Sequence, residues 1–348
     1  MLAAGHRPFA GRLARHPEDL LHLSTAPRIL LIRLERIGDV LISVPVLRAL
    51  RARYPLGQID LLVSRTNYAV HDAVAPFVTQ VLCYQKNVRS ALGLLRSIRR
   101  ARYDVVVDLV DHPSANAQLV IRWSRARAAV GLLHPRSGLY THAVPVLDRE
   151  TVHPVERLAQ LLLPFGVDPA AEPLDLAYPL SQADIARARE TLGPRTRPLR
   201  LGVNLSGRLV ERYWGRANYV GVIRHVMTAA PRFAISVCGA PRDQSEVLAV
   251  AQETGAQAVP PRPSLQEFAA ILHEFDLLLT PDTAAVHLAA AFKLPMVALY
   301  QPEPGLALWL PYKSPHRAVV DPAGIPAIPL GRVSAALDDL IRERFGVS

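Results

Sequence analysis

The chain has 348 residues, half of them apolar and a fifth charged, so it is long enough for two globular domains with separate cores. It carries a formal net charge of +10, and its two cysteines, Cys83 and Cys238, lie far apart. Neither a disulfide framework nor a thiolate metal site is indicated, and a reducing cytoplasm is the expected compartment.

The amino-terminal segment, residues 1–27, scatters arginines among proline and histidine without the apolar stretch of a secretory signal. We predict a loosely ordered leader there. The longest apolar candidate for a membrane span, Leu288 to Tyr300, is interrupted by Lys293 and Pro295. No membrane-spanning segment is therefore expected.

The first half of the chain alternates strand patterns with helical patterns. Strands are predicted at Ile29–Leu34, Gln58–Val63, Val81–Tyr84 and Asp104–Leu109, and helices at Asp39–Arg53, Val88–Arg102 and Ser114–Ser124. Such alternation predicts a parallel sheet built from βαβ units. Less regular segments follow Gly131.

A boundary between two domains is predicted near residue 195. Helical patterns at Pro154–Leu163 and Gln182–Leu192 come before it, and the stretch Arg195–Pro198 has the composition of a linker. The first domain is accordingly predicted to cover residues 28–195.

The second half, residues 196–331, repeats the alternation. Strands are predicted at Leu199–Leu205, Phe233–Cys238, Asp276–Thr280 and Met296–Tyr300, and helices at Ala217–Ala229, Asp243–Thr254, Leu265–Phe275 and Thr283–Phe292. A last helical pattern, Val333–Phe345, lies in the segment 332–348, which is a candidate to pack back on the first domain.

Two strand-to-helix junctions carry chemistry-bearing residues. Asp39 follows the first strand of the first half, and Asp282 and Thr283 open a helix that includes His287 in the second half. Ligands of open parallel sheets bind at the carboxyl ends of strands, and helix N-termini favour anions. A diphosphate would suit the second junction.

Several common enzyme classes lack their motifs here. The first strand-to-helix turns of the two halves read Glu35-Arg-Ile-Gly-Asp39 and Leu205-Ser-Gly-Arg208, without the Gly-x-Gly-x-x-Gly fingerprint. A Walker loop, His-Glu-x-x-His and Gly-x-Ser-x-Gly are also missing from the sequence. This argues against a dehydrogenase, a P-loop ATPase, a zinc protease and an α/β-hydrolase.

At these junctions the sequence resembles glycosyltransferase family 9, the bacterial lipopolysaccharide heptosyltransferases. Ile29–Pro55, with Ile37-Gly-Asp39, resembles the family's opening, and Asp276–Pro302, with Thr280-Pro-Asp-Thr283, is similar to its second signature. Val203–Trp214 and Trp309-x-Pro-Tyr312 match as well. The resemblance extends from residue 28 to about 320, and its motifs are specific when taken together.

The resemblance implies a GT-B architecture, an α/β fold of two Rossmann-like domains with parallel sheets facing a central cleft. It implies an inverting glycosyltransferase that moves heptose from ADP-heptose to a lipopolysaccharide core or a related surface glycan, with no metal and no other cofactor. Asp39 takes the place of the general base, and Arg212 stands where a cation would neutralise the departing ADP.

The resemblance also implies donor-binding residues in the second half. Thr283 would bind the diphosphate and Asp282 the sugar, while Asp243 falls near an acid that holds the ribose. The full donor set is Ser206, Gly207, Arg208, Asp243, Asp282, Thr283 and His287. An ordinary helix cap is the alternative interpretation of Asp39, Asp243 and Asp282. Ala284 stands where the family usually has glycine.

On the acceptor side the sequence departs from the family pattern. The chain reads Val110-Asp-His-Pro-Ser114 where the family often has Gln-Gly and then a basic residue. Arg33, Arg36, Arg65 and His112 are the candidates to bind the acceptor instead.

Other functions stay open at this point. A different nucleotide sugar or acceptor is one alternative, and a non-catalytic sugar-nucleotide-binding assembly protein is another. Relatives that glycosylate proteins are expected to hold iron with cysteines, which two distant cysteines cannot do.

The positive charge points to a peripheral contact with anionic lipid at the inner face of the cytoplasmic membrane, although an arginine-rich composition alone could account for it. Nucleic acid is not expected as a partner, because the arginines are dispersed along the sequence and aromatic residues are few.

Overall fold

The structure is a computed structural model that describes residues 20–85, 87–135, 138–207, 210–302 and 309–346. The contacts divide the chain into two compact units, Met1–Leu174 and Asp175–Ser348. Each unit has a six-stranded sheet whose paired strands all run parallel. The predicted two-domain α/β fold is therefore confirmed.

The sheet of the first unit has the strand order β3-β2-β1-β4-β5-β6. Its strands are β1 Arg28–Ile32, β2 Gln58–Ser64, β3 Gln80–Tyr84, β4 Val105–Asp108, β5 Ala128–Leu132 and β6 His142–Val144. Its α-helices are α1 Ile37–Leu41, α2 Val44–Arg53, α3 His71–Val74, α4 Val88–Ala101, α5 Ala115–Ser124 and α6 Pro154–Ala159. Short 3₁₀ helices lie at Tyr68–Val70 and Gln160–Phe165.

Strand β1 lies in the middle of this sheet, where an entirely apolar strand can be buried on both faces. Ile29 to Ile32 are fully buried and pair with β2 on one side and β4 on the other. Continuous apolar runs are typical of parallel strands covered on both faces. The strand ends at Ile32, so the residues that follow it lie at the carboxyl edge of the sheet.

The predicted helix Asp39–Arg53 is instead two helices, α1 and α2. Pro45 lies in the first turn of α2, after the N-cap residue Ser43. Proline is tolerated in a first turn but not in a helix interior, so a new helix starts there.

Strands β5 and β6 were not predicted, since the segment after Gly131 looked irregular. Gly131 itself lies in β5, where an added Cβ would lie 2.4 Å from the ring of Tyr140. The glycine is therefore required by close packing against an aromatic ring.

The sheet of the second unit has the order β12-β11-β10-β7-β8-β9. Its strands are β7 Leu199–Asn204, β8 Phe233–Cys238, β9 Gln257–Ala258, β10 Leu277–Pro281, β11 Met296–Tyr300 and β12 His316–Val320. Its α-helices are α7 Gln182–Leu192, α8 Arg216–Ala229, α9 Gln244–Thr254, α10 Leu265–His273, α11 Ala284–Ala291 and α12 Leu330–Phe345. Short 3₁₀ helices lie at Val210–Arg212, Pro241–Asp243 and Ile325–Ala327.

The boundary between the units falls after Leu174, about twenty residues before the predicted linker. Helix α7 lies in the second unit because it packs against α10. Arg189 of α7 also pairs with Glu274 at 3.0 Å, and the carbonyl of Leu192 accepts a hydrogen bond from Gln257.

Helix α12 is part of the second unit, which differs from the expectation that it packs back on the first domain. It contacts α8, β11 and β12. Val333, Leu337 and Leu340 are fully buried in the core of that unit. Their spacing of three and four residues places one apolar stripe of the helix against the sheet.

Most of the predicted leader, residues 1–19, lies outside the described residues. Residues 20–27 form neither helix nor strand, and the backbone N–H of Leu21 donates to the carbonyl of Pro164 at 2.7 Å. In the described ranges, no helix has the length and apolarity required to cross a membrane.

Candidate active site

Asp39 lies at the carboxyl edge of the first sheet, in the first turn of α1. Its Oδ2 accepts a hydrogen bond of 2.8 Å from the backbone N–H of Arg36, the N-cap residue of that helix. Arg36 is the N-cap residue and Asp39 is the N3 residue of a capping box, so the structure is compatible with the helix-cap interpretation of Asp39 as well as with a catalytic role. The Asp39 side chain keeps 15% of its surface exposed and is accessible to a ligand.

Arg33 holds the second carboxylate oxygen of Asp39. Its Nη2 lies 3.2 Å from Oδ1, and its Nε donates to the Asp39 backbone carbonyl at 3.1 Å. Its Nη1 donates to the carbonyl of Leu109, which follows the neighbouring strand β4. Arg33 was predicted to bind the acceptor. In the structure its buried guanidinium orients Asp39.

A second carboxylate, Asp108, lies beside this pair and was not predicted from the sequence. It is the last residue of β4, and its position in the sheet is opposite Ile32 of β1. Burial raises the pKa of Asp108 to about 6, although hydrogen bonds from Tyr140 at 2.8 Å and from the N–H of Val110 at 3.1 Å oppose the shift. His134 in turn contacts the Tyr140 hydroxyl at 3.1 Å.

The other acceptor candidates are exposed residues on loops. Arg36 lies at the start of α1, Arg65 follows β2, and His112 follows β4. His112 lies next to Asp111, whose carboxylate accepts a hydrogen bond of 2.8 Å from the buried Arg157. Burial acts to raise the pKa of Asp111, but the hydrogen bond and charge of Arg157 outweigh it, so the pKa lies below its usual value.

In the second unit, Ser206 connects the loops that follow β7 and β8. Its hydroxyl donates to Asp243 Oδ2 at 2.5 Å and accepts from the N–H of Ala240 at 2.6 Å. Asp243 is the N-cap residue of α9 by position, but its side chain makes no capping hydrogen bond. Its carboxylate accepts the hydrogen bond from Ser206 instead, so the Asp243 side chain does not cap the helix.

Gly207 allows the loop after β7 to pack on the 3₁₀ turn Val210–Arg212. A Cβ at Gly207 would lie 2.7 Å from both the Cβ and the carbonyl oxygen of Arg212. No side chain can occupy that space without moving the turn. The predicted donor ligand Arg208 lies outside the described residues.

Arg212 and Asp282 form a contact that the sequence could not reveal. Arg212 Nη1 donates to Asp282 Oδ2 at 2.6 Å and to the Asp282 carbonyl at 2.7 Å. The two side chains are 12% and 22% exposed. The guanidinium therefore lies at the start of α11, beside Thr283.

Thr283 is the N-cap residue of α11, and its Oγ1 accepts from the N–H of Ala285 at 3.3 Å. His287, one turn further along, is 5% exposed, and its ring meets Trp309 edge to face at 6.1 Å. The ring of His287 is therefore mostly buried, and its role in donor binding stays a prediction.

The two units offer complementary chemistry. In the first, an oriented and partly exposed carboxylate can accept a proton. In the second, a guanidinium, a tight glycine turn and a helix N-terminus can hold an anion such as a diphosphate. Among the described residues, no cluster of histidine, cysteine, aspartate and glutamate side chains could hold a metal ion.

Comparison with known proteins decides the family. The model of glycosyltransferase family 9 (heptosyltransferase) matches residues 91–321, which is more than half of the chain. The chain belongs to this family. It is therefore a glycosyltransferase, and the family predicted from the sequence motifs is confirmed.

Individual relatives of this family 9 member are distant in sequence. Lipopolysaccharide heptosyltransferase 3 of Escherichia coli is 22% identical over 76% of the chain and 80% of the relative. A family 9 glycosyl transferase of Veillonella parvula superposes with a TM-score of 0.78 at 20% identity, over 93% of this chain and 99% of that one.

A third relative was solved with a bound ADP-sugar. The E. coli heptosyltransferase WaaC with ADP-2-deoxy-2-fluoro heptose has a TM-score of 0.69 at 19% identity, over 90% of this chain and 99% of that chain. At these identities the likeness shows a shared fold.

Proposed function

We propose that this family 9 member transfers heptose from ADP-heptose to a lipopolysaccharide acceptor with inversion at the anomeric carbon. The proposal rests on one observation above all, the partly exposed carboxylate of Asp39 held in place by Arg33. It is supported by the heptosyltransferases among the chain's relatives and by the ADP-heptose analogue bound to one of them.

In the proposed reaction, Asp39 Oδ removes the proton of the acceptor hydroxyl. The acceptor oxygen then forms a bond to the anomeric carbon while the bond from that carbon to the β-phosphate oxygen breaks. Electrons pass from the acceptor oxygen to the departing ADP, and the proton remains on Asp39 until solvent takes it. A base opposite the leaving group is what inversion requires.

The charge that develops on ADP is assigned to Arg212 and to the N-terminus of α11. A guanidinium donates two hydrogen bonds to a phosphate, and the aligned dipoles of a helix favour negative charge at its start. Arg212 is already held at that position by the Asp282 carboxylate. We infer that no metal ion is needed for this step, because these groups can supply the positive charge.

The nucleoside end of the donor is assigned to the loops after β7 and β8. Gly207 lets the phosphate approach the backbone. Asp282 is assigned to the hydroxyls of the sugar, Thr283 to the diphosphate, and His287 to the support of α11 from within the core.

The acceptor end of the site is assigned to Arg36 and His112, which are exposed near Asp39's edge of the first sheet. The carboxylate of Asp111 beside His112 is fixed by Arg157. An acceptor other than the standard inner core is a second candidate, because the loop after β4 lacks the Gln-Gly and the following basic residue that the family often has. Enzymes with a lipid-linked acceptor work at a membrane surface, so we place the chain at the inner face of the cytoplasmic membrane.

A thermal-shift panel of ADP, UDP, GDP, NADH and ADP-heptose tests the donor. A ligand at a hundred times its dissociation constant stabilises the folded protein by about 2.7 kcal/mol. Stabilisation by ADP and ADP-heptose alone is the expected result. Stabilisation by UDP or GDP would show that the donor is a different nucleotide sugar, while the protein would still be a glycosyltransferase. Stabilisation by NADH alone would contradict the proposal.

A further inference from the structure

Two neighbouring helices of the first unit carry arginines without acidic residues. The segment 88–102, which contains α4, has five arginines, and the segment 114–127, which contains α5, has three. All eight are exposed, and neither segment contains aspartate or glutamate. Helices α4 and α5 pack against each other, so their exposed residues form one surface, called the α4–α5 surface below.

The arginines of this surface differ from those arginines of the second unit that form ion pairs. There, Arg216 pairs with Glu246 at 2.5 Å and Arg317 pairs with Asp339 at 2.7 Å. Within the described residues, no ion pair joins any of the eight guanidinium groups of the α4–α5 surface to a carboxylate. Their positive charge is therefore not cancelled by neighbouring side chains.

Large apolar side chains lie among these charges. Leu92 is 42% exposed, Leu119 is 52% exposed and Trp123 is 38% exposed. The guanidinium carbon of Arg99, on α4, lies 6.0 Å from the centroid of the Trp123 ring, on α5, which connects the two helices across the surface.

These apolar residues face outward and are not part of the core. Leu95 and Ile98 of α4 pack inward with Val120 of α5. Leu92 and Arg96, four residues apart, lie on the opposite face. The inner face of both helices therefore packs in the core, whereas the exposed apolar residues Leu92, Leu119 and Trp123 do not contribute to it.

We propose that the α4–α5 surface docks on an anionic phospholipid bilayer. Arginines hydrogen-bond lipid phosphates and are attracted to a negative surface, while leucine and tryptophan insert at the boundary between headgroups and acyl chains. Nucleic acid fits less well, because one indole ring and two leucines make a poor stacking platform. This surface lies outside the residues assigned to donor and acceptor, so it stands or falls independently of them.

Sedimentation with vesicles tests the docking on the full chain. The protein is mixed with vesicles of phosphatidylcholine alone or with added phosphatidylglycerol, at low and high salt. We expect binding only to the anionic vesicles, and weaker binding at high salt because exposed charges are screened. Equal binding to both vesicle types, or none to either, would overturn the proposal.

A triple variant, Arg96→Gln with Arg99→Gln and Arg100→Gln, locates the contact. Each arginine near an anionic membrane contributes roughly a fivefold factor, so removing three is expected to weaken vesicle binding about a hundredfold. The matched control, Arg224→Gln with Arg232→Gln and Arg342→Gln, removes the same charge from exposed positions of the second unit. If both variants weaken binding equally, net charge and not this surface is responsible.

A second variant separates binding from folding. Arg102 and Arg125 follow α4 and α5 in the left-handed conformation, with φ of 49° and 54°. Glycine adopts this conformation without strain, so Arg102→Gly with Arg125→Gly is expected to leave the melting temperature unchanged or higher while vesicle binding falls. Binding that is unchanged in this variant, or a stronger preference of the wild type for a short DNA duplex over anionic vesicles, would contradict lipid docking.

Discussion

At the scale of single residues, the contact between Arg33 and Asp39 carries the proposed chemistry. Three donors of one buried guanidinium bind the Asp39 carboxylate, the Asp39 carbonyl and the Leu109 carbonyl. A base that is held in this way needs no reorganisation before it accepts a proton. Arg33 is a positioning residue in this account, since it acts through Asp39.

Replacing Arg33 separates this role from the acceptor binding predicted from sequence. In Arg33→Ala, kcat is expected to fall about a hundredfold while the KM for both substrates stays near that of the wild type, because a misplaced base costs about that factor. Arg33→Lys keeps the charge but not the three-way geometry, and it should recover only part of the rate. If the KM for the acceptor rises instead and kcat is unchanged, Arg33 is an acceptor ligand.

Asp108 makes the stability of the first unit depend on pH. Its folded pKa of about 6 lies above the unfolded value, so the folded state holds the proton more tightly. The wild type is therefore expected to lose about 2 kcal/mol of unfolding free energy as pH rises from roughly 4 to 6. Asp108→Asn should lose this dependence, as denaturant unfolding at several pH values will report.

Asp111 supplies the control for that measurement, because its pKa is shifted the other way. Its folded pKa lies below the usual value. Its contribution to stability is present above the unfolded pKa and is lost as pH falls through the folded value. Asp111→Asn should thus be less stable than the wild type at pH 7 and converge with it in acid. Parallel profiles for the two variants would rule out the assigned pKa shifts.

At the scale of elements, the loop after β7 is shaped by the absence of a side chain at Gly207. In Gly207→Ala, the new methyl must displace the backbone of Arg212. We expect the Kd for ADP to rise by about tenfold, since a lost charge-assisted hydrogen bond contributes about that much. Isothermal titration calorimetry measures it directly.

Gly331 offers a matched control in the same unit. A Cβ there, in the first turn of α12, meets no atom within 4 Å. Gly331→Ala should leave ADP affinity unchanged and raise helix stability by about 0.5–1 kcal/mol. Equal ADP affinity in the two variants would show that the turn after Gly207 does not bind the nucleotide.

The elements were predicted best where local pattern alone decides them. β8, β11 and α7 match their predicted ranges residue for residue, because each is an uninterrupted apolar or amphipathic run between clear turn signals. β5, β6, β9 and β12 were missed. β6 and β9 have only three and two residues, and β12 is mostly half-buried and is held by pairing with β11. Pairing of that kind is a tertiary property that no window of sequence contains.

The candidate site was predicted in part for a related reason. Asp282 and Thr283 follow β10 directly, and Asp39 lies in the first helix after β1, so their position at the edge of a sheet could be inferred from sequence. The contact of Arg212 with Asp282 spans 70 residues, and that of Tyr140 with Asp108 spans 32. Contacts at such separations depend on the order of the strands in the sheet. The arginines of α4 and α5 are likewise dispersed along the sequence, and they form one surface only because the two helices pack against each other.

At the scale of the whole molecule, the boundary after Leu174 can be tested by fragments. A fragment of residues 175–348 contains α7 and is expected to unfold in one cooperative transition and to bind ADP. A fragment that starts at the predicted boundary, residues 196–348, exposes the face of α10 and leaves Glu274 without Arg189. We expect a clearly lower melting temperature by circular dichroism. Equal stability of the two fragments would favour the boundary near residue 195.

The central claim is that this chain transfers heptose and that Asp39 is the base. The most direct measurement incubates the purified chain with ADP-heptose and lipopolysaccharide from a heptose-deficient strain, and follows ADP release and acceptor mass together. The account predicts that the acceptor gains one heptose for each ADP released, and that Asp39→Asn lowers the rate at least about a hundredfold while still binding ADP. An acceptor of unchanged mass, or near-normal transfer by Asp39→Asn, would contradict it.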